Sequence, residues 1–251
     1  MNVSDAELAA NLAEAAGRLL LDIRAAGELT GKALGAAGDR AANAYLVQAL
    51  RDARPGDGLL SEEERDDAAR LAMSRVWIID PVDGTREYGE GRSDWAVHVA
   101  LAVGGIASVG AVALPALGTV LRSDRPGQLA PARERARMVV SRTRPAAEAI
   151  YLAKAIGAQL IPMGSAGAKA MAIVRGEAEI YLHTGGQYEW DSCAPVAVAA
   201  AHGLHVSRAD GTPLRYNQRD TYMPDLLICR AEWAERTLAL VAEMAANRLL
   251  D

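Results

Sequence analysis

Two aspartates, Asp80 and Asp83, stand where an apolar run gives way to Asp80-Pro81-Val82-Asp83-Gly84-Thr85. The run at 76–79 is β-branched and aromatic, so it reads as a buried strand that delivers carboxylates to a loop. Pro81 fixes φ and Gly84 permits a tight or left-handed backbone, so both acids and a nearby carbonyl can converge on one point. A hard-oxygen set of this kind suits Mg²⁺ or Mn²⁺. The Gly84-Thr85 pair adds backbone N–H groups and a hydroxyl that fit an oxyanion such as phosphate. Taken alone, Asp-x-x-Asp-Gly is more often a solvated acidic turn. Further acids shift that balance: Glu62 and Glu63 follow the apolar stretch 58–60, and Asp191 precedes a helical one. All of them lie at junctions, where layered α/β proteins commonly place their chemistry.

The elements that must position these acids follow from the pattern of the chain. Ser4-Asp5-Ala6-Glu7 is a capping box, and Leu8, Leu12, Ala16, Leu19, Leu20 and Ile23 recur at helical spacing up to Gly27. Residues 30–38, rich in glycine, are expected to form a mobile loop, with Asp39 capping a second helix that Pro55-Gly56 ends. Strands are expected at 95–103, 106–114 and 118–122, with Gly104-Gly105 at a hairpin turn. This half has the character of an antiparallel meander. A charged, proline-containing stretch, 125–137, then reads as a linker between halves 1–136 and 137–251. Beyond it, strands at 138–140, 159–162 and 179–182 alternate with helices at 145–156, 165–175 and 191–201, which implies crossover units. A last strand at 226–229 leads into a closing helix through Trp233, Leu238, Val241 and Met244.

Composition excludes several classes of function. The 251 residues carry a net charge of −5 and no basic stripe, which argues against a nucleic-acid polymer as partner. Half of the chain is hydrophobic, yet there is no Phe, so the core must be assembled from Ala, Val, Leu and Ile. The two cysteines, Cys193 and Cys229, lack zinc-ligand spacing and are expected to be reduced thiols. No run is long and apolar enough for a membrane span, and the start lacks a secretory pattern, so a soluble cytoplasmic protein is expected.

Three segments, Leu60-Ser61-Glu62-Glu63, Asp80-Pro81-Val82-Asp83-Gly84-Thr85 and Glu189-Trp190-Asp191-Ser192, resemble the signatures of the Mg²⁺-dependent, lithium-sensitive inositol monophosphatase superfamily. Three more, at 139–145, 164–169 and 211–217, resemble its CysQ-type 3'(2'),5'-bisphosphate nucleotidases. The resemblance implies an α/β (α+β) chain with the layered αβαβα sugar-phosphatase-like fold. It has a mixed, largely antiparallel N-terminal sheet and a smaller C-terminal α/β half. It also implies that Glu62, Asp80 and the Val82 carbonyl hold one Mg²⁺, that Asp80, Asp83 and Asp191 hold a second, and that Glu62 with waters holds a weaker third. Mn²⁺ would be a substitute.

Glu62, Asp80, Asp83 and Thr85 would then be catalytic, arming a water for in-line attack on phosphorus, with Thr85 and Glu62 orienting it. Gly84, Thr85, Ser141, Arg144, Ser165, Lys169 and Asp191 would contact the substrate, a small phosphorylated metabolite. The implied reaction removes the 3'-phosphate of adenosine 3',5'-bisphosphate, a by-product of sulfate activation. Inositol monophosphate and fructose 1,6-bisphosphate are the alternative substrates, and a homodimer is implied. Residues 29–39 depart from the family's usual segment and keep only Asp39 at the place of its terminal acid. Pro195 stands where a glycine is common, near the first turn of its helix. Trp190 is expected to act as a packing wedge. His98, His183, His202 and His205 are expected to be core or sheet residues, and Cys193 a small packing residue. Outside the resemblance, Lys169 and Arg144 read equally well as ordinary helix-surface cations. The Asp-x-Asp-Gly-Thr spacing of haloacid dehalogenase-like phosphatases is absent, which disfavours an aspartyl nucleophile.

Overall fold

The computed structural model describes residues 3–248. In chain order the elements are helices α1 (Asp5–Ala26) and α2 (Gly31–Ala53), strands β1 (Gly58–Ser61) and β2 (Arg75–Asp83), helix α3 (Thr85–Gly89), and strands β3 (Ala96–Val103), β4 (Ile106–Leu114) and β5 (Thr119–Arg122). The second half begins with β6 (Arg137–Ser141), α4 (Ala147–Ile156), β7 (Gln159–Met163), α5 (Ala166–Val174), β8 (Ile180–His183) and β9 (Gln187–Tyr188). It continues with α6 (Glu189–Ala201), β10 (His205–Ser207), β11 (Tyr222–Met223), β12 (Leu226–Cys229) and α7 (Ala231–Arg248).

One sheet runs β1-β2-β3-β4-β5, with β1 parallel to β2 and the rest antiparallel. The other runs β10-β12-β8-β6-β7. Only its β6, β7 and β8 are parallel; β12 and β10 are antiparallel, so the crossover pattern expected from strand-helix alternation holds for part of this sheet. The short β10 and the β9–β11 ribbon were outside the sequence expectation, because two- and three-residue strands carry too little periodicity to register.

Three apolar clusters separate five layers. Leu12, Leu20, Leu46 and Leu50 of α1 and α2 pack on Trp77, Ile79, Val97 and Leu101 of the first sheet. The opposite face of that sheet, with Ile78, Ala100 and Val112, meets α5 and α6 and, through them, Tyr181 and Ile228 of the second sheet. Its far face, with Met138, Leu182 and Leu227, is covered by Leu152 of α4 and by Trp233 and Leu238 of α7. The result is the αβαβα layering expected from the resemblance. The absence of Phe has a structural counterpart in close helix-to-sheet approach: an ideal Cβ on Gly110 of β4 would lie 2.5 Å from the Ala194 carbonyl of α6.

Helix α1 begins at the predicted place, with Ser4 accepting the Glu7 N–H at 3.2 Å, although the Glu7 carboxylate pairs with Arg122 at 2.8 Å and does not close the expected capping box; the helix ends at Gly27 with φ 72°. The segment 30–38 does not form a loop. It is the first part of α2, which starts at Gly31 rather than at Asp39. The glycines that read as mobility serve contact. Gly35 and Gly38 lie against Thr85 and Tyr88 of α3, while Gly31, whose own Cβ position is open, sets its carbonyl against Gly89. A Cβ on Gly35 would stand 2.7 Å from Thr85 Cγ2, and one on Gly38 would stand 2.7 Å from Tyr88 Cε1 and 2.9 Å from Leu20 Cδ2. Pro195 also departs from expectation, since it lies in the second turn of α6 rather than the first and removes the hydrogen bond to the Asp191 carbonyl.

Gly38→Ala tests this packing because helix propensity and contact oppose each other. Propensity alone favours alanine by about 1 kcal/mol. Overpacking against Tyr88 and Leu20 should outweigh it and lower the unfolding free energy by about 1–3 kcal/mol in a urea titration. A stabilised variant would contradict the close-contact reading.

Candidate active site

Asp80 and Asp83 belong to β2, where residues three apart ordinarily point to opposite faces. The pairing with β3 shifts between them: Asp80 faces His98 and Asp83 faces Ala96, so Pro81 and Val82 together oppose one residue. This bulge adds the residue that turns both carboxylates toward the same side, and it falls at a proline with no N–H to lose. Asp80 Oδ1 accepts the Val82 N–H at 3.0 Å. Asp191 enters from the first turn of α6, held by the Tyr188 N–H at 2.6 Å from its Oδ2. Carboxylate oxygens of Asp80, Asp83 and Asp191 lie within 4.8 Å of one another. Residues distant in sequence are thus brought into one cradle. Glu62, on the turn after β1, joins it through a hydrogen bond shared with Asp80.

The members of this cluster are electrically unequal. Asp83 is buried among donors: its Oδ2 accepts the Ser165 hydroxyl and the Gly167 N–H, both at 2.5 Å, and its Oδ1 accepts the Ala166 N–H at 3.0 Å. Burial alone would raise its pKa, but nearby His98, the Ser165 hydroxyl and the Lys169 charge outweigh that and bring it down to about 2. Asp80 goes the other way. Burial first, then the charges of Glu62, Asp83 and Asp191, drives it well above the usual carboxylate range. Asp191 rises to about 6, by burial and by the charge of Asp83. Glu62 keeps an exposed side chain at the rim, yet surrounding protein withdraws enough solvent from its carboxyl to raise it, with help from Asp191, to about 7.

Protons crowded onto neighbouring acids mark a place where positive charge is short. The donor set fits a divalent cation: it is all oxygen, dense in carboxylate, and two of its three aspartates are buried. Asp80, Asp83 and Asp191 are the residues that would hold such an ion, with Glu62 beside them.

Thr85 is the first residue of α3, behind Gly84 with φ 88°. Its Oγ1 lies 3.2 Å from Asp39 Oδ1 and 3.1 Å from the Val82 carbonyl oxygen. Both are acceptors, so its one proton serves one of them at a time and the oxygen lone pairs stay available. Burial and the charge of Glu63 raise Asp39 to about 6, against the opposing pull of the Thr85 hydrogen bond. The sequence placed Asp39 only as a helix cap matching a family acid. Its pairing with Thr85 depends on Gly35 letting α3 come close to α2.

His98 is buried, as expected, but it touches the site. Its Nδ1 donates to the Trp190 carbonyl at 3.0 Å, and its Nε2 stands 3.2 Å from Asp83 Oδ2, outside hydrogen-bond alignment. With Nδ1 committed as a donor, Nε2 carries a proton only in the imidazolium, and the charge of Asp83 raises the His98 pKa against the effect of burial. Gly167 is required here, since a Cβ would collide with that Nε2. Ser165 has φ 30°, a conformation unusual for a non-glycine residue, and its hydroxyl is occupied by Asp83 and by the Ala168 N–H at 2.9 Å. Trp190 packs against the central cluster and stacks on Tyr188 with centroids 4.8 Å apart. Cys193 and Cys229 are free and buried.

Lys169 is no surface cation: it is buried, and its ammonium donates to the carbonyls of Gly164 at 2.5 Å and Ser165 at 2.6 Å. Burial lowers its pKa. It lines a cavity of about 480 Å³ beside the cluster, together with Ser141, Arg144, Ser165, Arg86 and Arg142. Arg142 is engaged by Glu87 at 2.8 Å and Glu90 at 2.9 Å, and Arg86 by Glu90 at 2.8 Å. Among the described residues Arg144 makes no ion pair, and its backbone N–H donates to Ser141 Oγ at 3.2 Å. Among the described residues no helix is long and apolar enough to cross a membrane.

A layered fold that gathers acids at the loop end of β2 beside a hydroxyl–carboxylate pair suits metal-assisted chemistry on an oxyanion, and sequence comparison makes it a phosphatase. The profile of the inositol monophosphatase family matches residues 4–246, and the chain belongs to that family. It is 50% identical, over 96% of its length and 95% of the relative's, to a 3'-phosphoadenosine 5'-phosphate phosphatase of Mycobacterium leprae. It is 30% identical, over 74% of its length and 81% of the relative's, to the 3'(2'),5'-bisphosphate nucleotidase CysQ of Escherichia coli. Among solved structures, CysQ from Bacteroides thetaiotaomicron superposes with a TM-score of 0.78 at 25% identity, covering 90% of this chain and 97% of that one.

The charge balance gives a pH signature. Asp39 and Asp191 have folded pKa values near 6 against an ordinary 3.8, so between those values the native state binds more protons than the unfolded chain. Their contribution therefore grows as pH falls through that window. Asp83, depressed to about 2, loses its own contribution only below 3.8. The melting temperature of the metal-free protein should rise on acidification from about pH 7.5 to about pH 5. Saturating Mg²⁺ or Asp191→Asn should flatten the rise. A slope that neither treatment changes would show that the cluster does not set it.

Proposed function

We propose that this chain hydrolyses the 3'-phosphate of adenosine 3',5'-bisphosphate, yielding AMP and inorganic phosphate. The reading is carried by the convergence of Asp80, Asp83 and Asp191 within 4.8 Å, in a chain half-identical to a phosphatase named for that substrate. Mg²⁺, or Mn²⁺ in its place, would be held by Glu62, Asp80 and the Val82 carbonyl on one side and by Asp80, Asp83 and Asp191 on the other. When bound, the cations supply positive charge to the phosphoryl oxygens and make a water easier to deprotonate.

The remaining steps belong to the chain's own side chains. Thr85 Oγ1 accepts a hydrogen bond from the attacking water while its proton points to Asp39, whose pKa near 6 suits a base working close to neutrality. As the water oxygen bonds to phosphorus, its proton passes by way of Thr85 Oγ1 to Asp39, the bond to the ribose 3'-oxygen breaks in line, and that oxygen takes up a proton from solvent. No phosphoenzyme forms. N–H groups of Gly84 and Thr85 would grip the transferred phosphate.

Arg144, an exposed cavity cation that forms no ion pair among the described residues, would receive the second phosphate, with Ser141 beside it. Lys169 and Ser165 act from behind. Lys169 ties down the carbonyls that shape the turn, and Ser165 fixes Asp83. A homodimer in the cytoplasm is the expected setting.

Phosphate release should be measured on adenosine 3',5'-bisphosphate, inositol 1-phosphate and fructose 1,6-bisphosphate, each with and without Mg²⁺. The bisphosphonucleotide should lead in kcat/KM, and every activity should need the cation; equal or better turnover of inositol phosphate would overturn the substrate assignment. Asp80→Asn mimics the protonated acid of the metal-free state, so it should leave the metal-free melting temperature unchanged while lowering kcat by about a thousandfold or more. Arg144→Ala should raise KM for the bisphosphonucleotide by about tenfold and spare inositol phosphate. Losses of equal size on both substrates would remove Arg144 from the second-phosphate role.

A further inference from the structure

The segment 211–217 resembles one found in a branch of the family, yet no residue of it lies in the cluster of acids, and the reaction outlined above makes no use of it. Its last residue, Asn217, sits at the centre of a hydrogen-bonded clasp. Asn217 has φ 58°, a left-handed backbone that asparagine tolerates better than most residues. Its side chain faces Arg70: Oδ1 accepts from Arg70 Nη1 at 2.8 Å, and Nδ2 donates to the Arg70 carbonyl at 3.1 Å. Arg70 also donates to the Gln218 carbonyl at 3.0 Å, and it grips Asp66 with two bonds of 2.6 and 2.9 Å. On the other side, Glu189 accepts the N–H of Asn217 at 2.6 Å and that of Gln218 at 2.7 Å. Arg70 and Glu189 are both buried, at 2% and 0% exposure.

This arrangement joins two places that chemistry must keep in register. Asp66 and Arg70 belong to the connection that follows Glu62, and the near end of that connection is fastened by Ser61 to Asn43 at 2.7 Å and by Asn43 to Glu64 at 3.0 Å. Glu189 opens the helical turn that carries Asp191. The chain from Asp66 through Arg70 and Asn217 to Glu189 therefore ties the Glu62 turn to the Asp191 helix. It does so with two oppositely charged buried side chains that have no direct bond and meet through one loop. Breaking one member leaves a buried charge with fewer partners, so the cost is borne where the two acids are held.

The geometry points to Arg70, Asn217 and Glu189 as positioning residues that set the separation of Glu62 from Asp191 and hence the affinity of the cradle for a divalent cation. The inference rests on the reading of those acids as one cation site.

Calorimetric titration of the full chain with Mn²⁺ tests it, alongside the Mg²⁺ concentration for half-maximal phosphate release. Asn217→Gly keeps the left-handed backbone, both amides that Glu189 holds and the Arg70 bond to the Gln218 carbonyl, and removes the side-chain bonds to Arg70 and the Met73 carbonyl. Glu189→Gln keeps the shape and removes the charge. Each should weaken Mn²⁺ binding by about tenfold or more and raise the Mg²⁺ half-activation point by a similar factor, with KM for the nucleotide changing much less. Combining Arg70→Met with Asn217→Gly should cost little more than the worse single change, because both open the same link. If Arg70→Met does not fold, Asn217→Gly carries the test alone. Folded variants with wild-type Mn²⁺ affinity and half-activation would reduce the clasp to ordinary packing. An Asp80→Asn variant that binds Mn²⁺ as tightly as the wild type would overturn the cation site itself, and the clasp's role with it.

Discussion

Repulsion among buried carboxylates is the constraint on which the rest of the structure turns. Asp80, Asp83 and Asp191 are placed closer together than like charges tolerate, with Glu62 beside them, in surroundings that also strip away solvent. The protein does not relieve this uniformly. It stabilises the charge on Asp83 with amides, a hydroxyl and a neighbouring imidazole, and leaves the pKa of Asp80 pushed upward by burial and its neighbours' charge. A cluster divided in this way is poised to exchange protons for a divalent cation, whose charge would relieve every member at once.

The layered architecture exists in part to make that crowding possible. Carboxylates on a single strand could not be packed so densely, but here β2 contributes two through a bulge and α6 contributes the third from the layer between the sheets. The same middle layer supplies α5, whose opening N–H groups hold Asp83. Lys169 lies one turn further on and ties that opening to its own helix. Helix and sheet can approach this closely because their facing residues are alanine and glycine, and this accounts for an unusual core without Phe.

On the other side of the first sheet, the glycine face of α2 has a comparable purpose. Gly35 and Gly38 let α3 lie against the helix, and Asp39, next along, reaches Thr85. Glycines that would weaken an isolated helix are tolerated because the contact they permit is worth more than the propensity they lose. Arg142, bridging from the end of β6 to Glu87 and Glu90 at the end of α3, braces the same small helix from the C-terminal side.

The amino-acid sequence by itself determined the composition of the site and the order of the elements. The acid-proline-acid-glycine-threonine turn, the N-cap at Ser4, the hairpin at Gly104-Gly105 and the strand at Leu226–Cys229 are written in local periodicity and turn chemistry, which need only near neighbours. Only the tertiary structure decided that 30–38 is helical, that Lys169 is buried and bonded to carbonyls, that His98 reaches Asp83, and that Arg70, Asn217 and Glu189 form one clasp. It also decided which acids are charged. Each of these outcomes depends on desolvation and on distances between groups far apart along the chain, and neither exists until the layers have closed.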